Sequence, residues 1–182
     1  MTETESKQHK KTRKFKAEVR ELLNIVINSL YTDKEIFVRE LISNAADALE
    51  KMRHFSLTKD NLENKEEPLE IRIELDENAG TFTIKDNGIG MTAEEASTNL
   101  GTIAHSGSRE FLKLIAEGKQ SDTSLIGQFG VGFYSAFMVS NEVTVEAKSY
   151  LKDEPGIEWI SAADEGYTIA ETGEAHRGTK SL

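Results

Sequence analysis

Apolar residues recur at helical spacing in the first third of the chain. Over residues 17–30 they fall on one side of a helix, with charged residues on the other. Residues 31–34 interrupt this pattern, and Thr32 or Asp33 can cap a new helix. A second helix is therefore predicted over about residues 34–53.

Strand-like alternation of apolar and polar residues begins after Pro68. Residues 69–75 predict a half-buried strand, residues 76–80 supply turn-forming side chains, and residues 82–86 resume the alternation, which together indicate a hairpin. Further elements are predicted in the same way: short helices at about 109–116 and 129–139, and strands at 142–149, 156–161 and 167–170. Because helices come first and no βαβ alternation is sustained, we expect an α+β fold, a two-layer sandwich with helices on one face of a mostly antiparallel mixed sheet.

Composition and charge are those of one domain that does not bind nucleic acid. A length of 182 residues fits a single core. A net charge of -10 opposes a phosphate backbone. No aromatic side chain lies among the basic residues at 7–14, so a solvated tail is favoured over a nucleic-acid-binding arm. Residues 1–14 are predicted to be a disordered polar tail, and residues 15–182 to be one domain.

Membrane and structural-metal signals are weak. No apolar run approaches the length of a membrane span, and no secretory signal precedes the first helix, so we expect a cytoplasmic protein without a membrane partner. The chain has no cysteine, and its four histidines are widely spaced. A disulfide is excluded, and a structural metal site is not expected.

The second predicted helix carries a narrow polar stripe beside its apolar arc. Glu40, Asn44, Asp47 and Lys51 make up this stripe. A polar stripe that borders the core suggests the wall of a pocket. The alternative is a pair of ordinary i, i+4 surface contacts, and the helix taken alone favours that alternative.

The hairpin delivers a carboxylate, Asp86, to a turn with two glycines. An ordinary turn explains Gly88 but has no use for Gly90, or for the apolar Ile89 and Met91. Close approach of the backbone to a flat ligand would use both glycines. The turn is therefore a candidate ligand contact.

Residues 127–133 form a glycine-rich loop that leads into a predicted helix. Converging backbone N–H groups and a helix N-terminus favour phosphate at such a loop. The signal has low specificity by itself, because the loop lacks the ending of a P-loop, the glycine order of a Rossmann fingerprint and the signatures of a kinase.

Four motifs together resemble one family. They are ELISNAADAL at 40–49, DNGIGM at 86–91, LGTIAHSG at 100–107 and GQFGVGFYSAF at 127–137. In combination they resemble the ninety-kilodalton heat-shock chaperones in their bacterial form, over about residues 15–179. The first, second and fourth are also similar to the wider superfamily of type II topoisomerases, mismatch-repair ATPases and sensor histidine kinases. The resemblance implies a Bergerat-type ATP-binding fold and an ATPase that drives a chaperone cycle in protein folding and the stress response.

The resemblance also implies roles for individual residues. Glu40 would be the general base, Asn44 the side-chain ligand of Mg²⁺, and Asp86 the acceptor for the adenine amino group, supported through water by Thr179. The cofactors expected are ATP or ADP and Mg²⁺. Other implied nucleotide contacts are Asp47, Lys51, Gly90, Met91, Asn99, Leu100, His105, Ser106, Gly107, Gly127, Gln128, Gly130, Val131, Gly132 and Phe133.

Two segments carry open questions. Many family members have lysine where this chain has His105, so a phosphate contact there becomes pH-dependent or is lost. Residues 92–127 resemble the family's lid, which closes over nucleotide. The alternative is a packed surface excursion without large movement.

The resemblance places further parts outside this sequence. The family continues into another strand, a client-binding middle domain and a dimerisation domain, so we expect a domain truncated before its last strand. Client proteins and the homodimer partner would bind through the absent domains. Without the middle domain's arginine, the fragment is expected to be monomeric and to hydrolyse ATP very slowly. Alternative functions are a nucleotide-sensing or protein-binding module without useful hydrolysis, and a histidine-kinase domain, for which no helix with a phospho-acceptor histidine precedes the fold.

Overall fold

The protein is represented by a computed structural model that describes residues 10–15, 20, 21, 23, 24, 34–101, 132–162, 166–173 and 175–181. Several predicted features lie outside the described residues: most of the helix at 17–30, the helix near 109–116, the lid beyond residue 101, and the glycine-rich loop up to residue 131. Of the first predicted helix, Arg20, Glu21, Leu23 and Asn24 are described and are helical.

Helix α1 spans Ile36–Thr58, which confirms the second predicted helix and extends it by about one turn. Its buried face includes Leu41, Ala45 and Met52, as the apolar periodicity predicts. The extra turn has no helix breaker, and the Ser56 hydroxyl donates to the Arg53 carbonyl at 2.7 Å. The chain becomes extended at Lys59.

Seven strands make one sheet. In chain order they are β1 Lys11–Lys14, β2 Ile71–Asp76, β3 Thr81–Asp86, β4 Val143–Lys148, β5 Gly156–Ser161, β6 Gly166–Thr172 and β7 Gly178–Ser181. Their order across the sheet is β1-β6-β5-β4-β7-β3-β2. Each pairing between these described strands is antiparallel, including the predicted hairpin of β2 and β3.

The helices cover one face of this sheet, as the α+β prediction requires. Directly paired residues share a face. One such row crosses five strands and consists of Ile84, Ser181, Val145, Trp159 and Ile169. At one end of the row Ile84 packs with Leu41 and Ala45 of α1. At the other end Trp159 and Ile169 belong to a core cluster with Ala96 and Leu100.

The prediction that residues 1–14 form a disordered tail is wrong for the last four of them. Lys11–Lys14 form strand β1, which pairs with β6 at the edge of the sheet. All four side chains are exposed, so no apolar alternation marks this strand in the sequence. Its position is fixed by the backbone ladder, by Phe15 in the core, and by a 2.7 Å hydrogen bond from Arg13 to the Ser97 hydroxyl.

Two other elements differ from prediction. The alternating pattern predicts a half-buried β2, but only Ile71 at its start packs against the cluster of Leu41 and Ala45. Ile73 is 45% exposed and Leu75 is 73% exposed in this edge strand. The predicted helix at 129–139 is, over its described part, a 3₁₀ helix at Gly132–Met138. Helix α2, Ala93–Asn99, is an additional element that the predictions lack.

None of the helices in the described part of the chain combines the length and the apolar composition that a membrane crossing requires.

Candidate functional site

A cavity of ≈ 330 Å³ lies between α1 and the helix-facing side of the sheet. This volume is at the lower end of the range of small-molecule sites, about 300–1,000 Å³. The predicted nucleotide contacts that line it are Asn44, Asp47, Lys51, Asp86, Gly90, Met91, Asn99, Leu100, Phe133 and Thr179. Residues that are far apart in the chain therefore meet at one site.

Helix α1 forms one wall of the cavity, which confirms the predicted pocket wall. Asn44, Asp47 and Lys51 line the cavity and remain exposed. Leu41 and Ala45, on the buried arc of the same helix, line it from behind. These three residues of the polar stripe are thus placed at the opening, where they can contact a charged part of a ligand, whereas Glu40, the fourth, is buried and does not line the cavity.

Glu40 lies one turn before Asn44 on α1, and Gly132 is its neighbour from the 3₁₀ helix. Neither of them lines the cavity itself. Glu40 is buried, and the Arg39 guanidinium Nη2 lies 3.3 Å from its Oε1. A Cβ atom on Gly132 would lie 2.5 Å from Glu40 Oε2, so any side chain there would push this carboxylate from its position.

The Asp86 carboxyl lies where β3 meets the cavity. Asp86 is 6% exposed, and its Oδ1 accepts a 2.8 Å hydrogen bond from the Gly88 backbone N–H. Burial raises the pKa of Asp86 to about 6, although backbone hydrogen bonds from Gly88 and Thr179 and the nearby Arg177 charge act to lower it. The carboxyl is therefore an acceptor that changes its charge close to neutral pH.

Thr179 pairs with Asp86 across strands β3 and β7. The family resemblance implies that Thr179 supports Asp86 through water. In the structure the Thr179 backbone faces the carboxyl and acts to lower the pKa of Asp86. Strand β7 has no alternating pattern of its own in the sequence. It lies between β4 and β3, so long-range pairing determines its place.

The two glycines of the Asp86 turn are required by packing within the protein. A Cβ atom on Gly88 would lie 2.5 Å from the Ala48 carbonyl carbon. Gly90 has φ of +60°, and a Cβ atom there would lie 1.7 Å from the Lys148 carbonyl oxygen. Packing against backbone atoms of α1 and β4 therefore accounts for both glycines, and Gly90 also lines the cavity.

Helix α2 contributes another part of the cavity lining through Glu95, Asn99 and Leu100. Its start is fixed by a capping box, in which the Thr92 hydroxyl accepts from the Glu95 N–H and the Glu95 carboxylate accepts from the Thr92 N–H. The spacing Thr92-x-x-Glu95 is a readable signal for this helix in the sequence.

Sequence reasoning missed several lining residues and one buried cation. The further lining residues are Leu41, Ala45, Ala48, Ile84, Ile89, Glu95, Val145 and Ser181. Arg177 is buried behind the Asp86 turn. A single arginine in a polar segment carries no local signal for such a position.

The remaining predicted contacts, His105, Ser106, Gly107, Gly127, Gln128, Gly130 and Val131, lie outside the described residues. Within the ranges that are described, no three His, Cys, Asp or Glu side chains cluster as a metal site. The Asn44 amide lines the cavity and offers one oxygen. One amide oxygen is sufficient for a Mg²⁺ ion that takes its other ligands from phosphates and water.

The side chains that line the cavity suit a flat, polar ring with an exocyclic amine. One buried carboxyl provides an acceptor, while Met91, Leu100 and Phe133 provide apolar surface. Three exposed residues of the polar stripe, Asn44, Asp47 and Lys51, line the same cavity and can reach a charged extension of the ring. The arrangement therefore matches a nucleotide in both its base and its charged part.

Comparison with known proteins agrees with this chemistry. Residues 31–172 match the family described as histidine kinase-, DNA gyrase B-, and HSP90-like ATPase. The chaperone protein HtpG of Desulfitobacterium hafniense (strain Y51) is 57% identical over 169 residues, which is 92% of this chain and 28% of that protein. The chaperone protein HtpG of Desulfotalea psychrophila is 54% identical over 170 residues, 93% of this chain and 27% of that protein.

A third relative extends the similarity along the chain. The chaperone protein HtpG of Magnetococcus marinus is 49% identical over 180 residues, 98% of this chain and 27% of that protein. The chain thus spans little more than a quarter of the length of these relatives.

Proposed function

The chain belongs to the histidine kinase-, DNA gyrase B- and HSP90-like ATPases, and on that premise we propose that it is the Mg-ATP-binding domain of a chaperone of the HtpG type. The observation that carries the proposal is the buried Asp86 carboxyl at the cavity. A single acceptor of this kind, held by backbone hydrogen bonds, suits the 6-amino group of adenine.

The base would bind between apolar surfaces. Met91 and Leu100 line the cavity with Asp86, and the backbone at Gly90 completes the same wall. A site built to accept a hydrogen bond rejects an analogue that offers another acceptor, because the buried groups are then left unpaired. Asp86 therefore gives the pocket its selectivity for adenine.

The phosphates would extend toward α1 and the start of the 3₁₀ helix. Asn44 would hold Mg²⁺, which would neutralise phosphate charge when bound. Gly132 and Phe133 end the glycine-rich motif on this side of the cavity. Residues 127–131, which lie outside the described residues, would complete the proposed phosphate cradle.

Glu40 would act on the attacking water. It is one turn from Asn44 on the same helix, is buried, and adjoins Gly132. A carboxylate at this position can orient a water molecule and accept its proton during attack on the γ-phosphate. We assign hydrolysis of ATP to ADP and phosphate to this residue.

The remaining parts of the proposal concern the longer protein. Residues 92–127 would close over the nucleotide and couple its state to a chaperone cycle in the cytoplasm. Client proteins and a second protomer would bind through other domains, and turnover by this chain alone would be very slow.

Replacing Glu40 by Ala tests the catalytic assignment. In the longer protein, single-turnover hydrolysis should fall to background, while the Kd for Mg-ADP should stay within about threefold of the parent, because Glu40 does not line the cavity. Equal loss of binding and hydrolysis would contradict the general-base assignment. Unchanged hydrolysis would also contradict it.

A further inference from the structure

Arg177 is a fully buried cation outside the nucleotide cavity. Its side chain is 0% exposed. The guanidinium Nη1 donates to the backbone carbonyls of Asn87 and Gly88, the latter at 3.0 Å, and Nη2 donates to the Asn64 carbonyl at 3.2 Å. The charged partner nearest to it is the Glu67 carboxylate, 3.7 Å from Nη2.

The Asn87 carbonyl connects Arg177 with the Asp86 carboxyl. This carbonyl and the Gly88 N–H belong to one planar trans peptide unit, in which C=O and N–H point in opposite directions. On one side of the unit the carbonyl accepts from Arg177. On the other side the N–H donates to Asp86 Oδ1 at 2.8 Å. Arg177 therefore fixes the orientation of the peptide that fixes the carboxyl.

The flanking residues leave this peptide unit little freedom. The Asn87 side chain donates to the Pro68 carbonyl at 2.7 Å and accepts from the Glu70 N–H at 2.8 Å. Next to Arg177, a Cβ atom on Gly178 would lie 2.0 Å from the Asp86 carbonyl oxygen. The arginine is thus packed against a turn that is held on both sides. Its contact with the Asn87 carbonyl acts on the Asn87–Gly88 peptide, and its contact with the Gly88 carbonyl acts on the peptide that follows.

We propose that Arg177 is a positioning residue for adenine selectivity, which acts through the Asn87–Gly88 peptide to hold the Asp86 carboxyl as an acceptor toward the base. The proposal rests on the nucleotide-binding function proposed above. An ionised carboxylate has about four acceptor sites. The backbone amide of Gly88 uses part of this capacity, and the remainder is available to a 6-amino group.

Replacing Arg177 by Lys separates this positioning from a general effect on folding. Lysine keeps a positive charge but cannot make the fork of parallel N–H bonds that guanidinium makes. We would measure the Kd for Mg-ADP and for Mg-IDP, whose base has a 6-oxo acceptor in place of the 6-amino donor. The parent should prefer ADP by well over tenfold, and Arg177→Lys should reduce that preference by about tenfold.

Glu67→Gln is the matched control. It removes the ion pair to Nη2 but keeps both Nη1 contacts with the turn, so its preference for ADP should equal that of the parent. A purely structural arginine would give equal weakening for both nucleotides in Arg177→Lys, and an unchanged ratio would overturn the proposal. If the parent itself does not bind ADP, the proposed function fails first, and the inference fails with it.

A second measurement does not depend on folding of the variant. In NMR spectra of the parent, the resonances of the Gly88 amide and the Arg177 guanidinium should both follow the titration of the Asp86 carboxyl, with one common midpoint. Both should also shift when Mg-ADP binds. Resonances of Arg177 that respond to neither pH nor nucleotide would contradict the connection through the peptide.

Discussion

Gly132 lies so close to Glu40 that a Cβ atom on the glycine would be 2.5 Å from the carboxylate Oε2. The two residues come from the 3₁₀ helix and α1, two elements in contact with each other. The end of the glycine-rich motif thus has a packing role in addition to its proposed role in phosphate binding. It leaves the space that a buried carboxylate needs beside the proposed reaction site.

Gly132→Ala should therefore reduce hydrolysis more than binding. The added methyl group forces the Glu40 carboxylate to move, because that carboxylate is the flexible neighbour. We expect single-turnover hydrolysis to fall by about tenfold or more, in line with the sensitivity of catalysis to misplacement of about 1 Å. Isothermal calorimetry should show a much smaller change in the Kd for Mg-ADP. A variant with parental hydrolysis would contradict the assigned position of Glu40.

Gly90→Ala should destabilise the whole domain. The substitution places an L-residue at φ +60° and puts its Cβ atom 1.7 Å from the Lys148 carbonyl oxygen, which is backbone and cannot rotate away. We expect a loss of about 3 kcal/mol or more in the free energy of unfolding, measured with urea.

Gly173→Ala is the control for both glycine substitutions. A Cβ atom there meets nothing within 4 Å, and its backbone is not left-handed. Its free energy of unfolding should stay within about 0.5 kcal/mol of the parent value. Equal destabilisation by Gly90→Ala and Gly173→Ala would show that the contact with Lys148 is not present in solution.

The raised pKa of Asp86 predicts a pH-dependent stability. The pKa is about 6 in the folded protein against 3.8 for an ordinary Asp, so the folded state binds more protons between these values. The free energy of unfolding contributed by Asp86 should decrease as pH rises through this window, by an amount on the order of 3 kcal/mol. Urea unfolding of the parent and of Asp86→Asn between pH 4.5 and 7 measures it. A difference between the two proteins that is constant with pH would contradict the prediction.

The same carboxyl predicts a pH-dependent affinity. A base that donates to Asp86 favours its ionised form, so nucleotide should bind less tightly as pH falls below about 6. Binding near pH 6 should also release protons, which calorimetry in buffers of different ionisation enthalpy detects. Proton uptake on binding would have the wrong sign for an ionised acceptor.

Elements with a strong local pattern can be predicted from the sequence. The apolar arc of α1 and the turn residues at 76–80 predict the long helix and the hairpin near their observed positions. The polar stripe of α1 predicts one wall of the cavity, because its position beside the apolar arc follows from helical spacing alone. These features depend on short-range spacing, which the sequence displays directly.

Features that depend on long-range pairing cannot be predicted in this way. Strand β1 has four exposed polar side chains, and β7 has the sequence Gly-Thr-Lys-Ser. Each forms a strand only because its backbone pairs with a neighbouring strand of the sheet. The buried position of Arg177 depends on carbonyls up to 113 residues away in the chain. The resemblance to a family indicates Thr179 as a site residue where the pattern alone does not.

The most direct test of an adenine pocket anchored on Asp86 is calorimetric titration of Mg-ADP into the parent and Asp86→Asn, with Asp60→Asn as an exposed control outside the cavity. The account predicts that the parent and Asp60→Asn each bind nucleotide at one site, and that nucleotide at one hundred times Kd raises their free energy of unfolding by about 2.7 kcal/mol. The free energy of unfolding of Asp86→Asn should not change when nucleotide is added. Equal binding by all three proteins would contradict it, as would a parent that does not bind nucleotide.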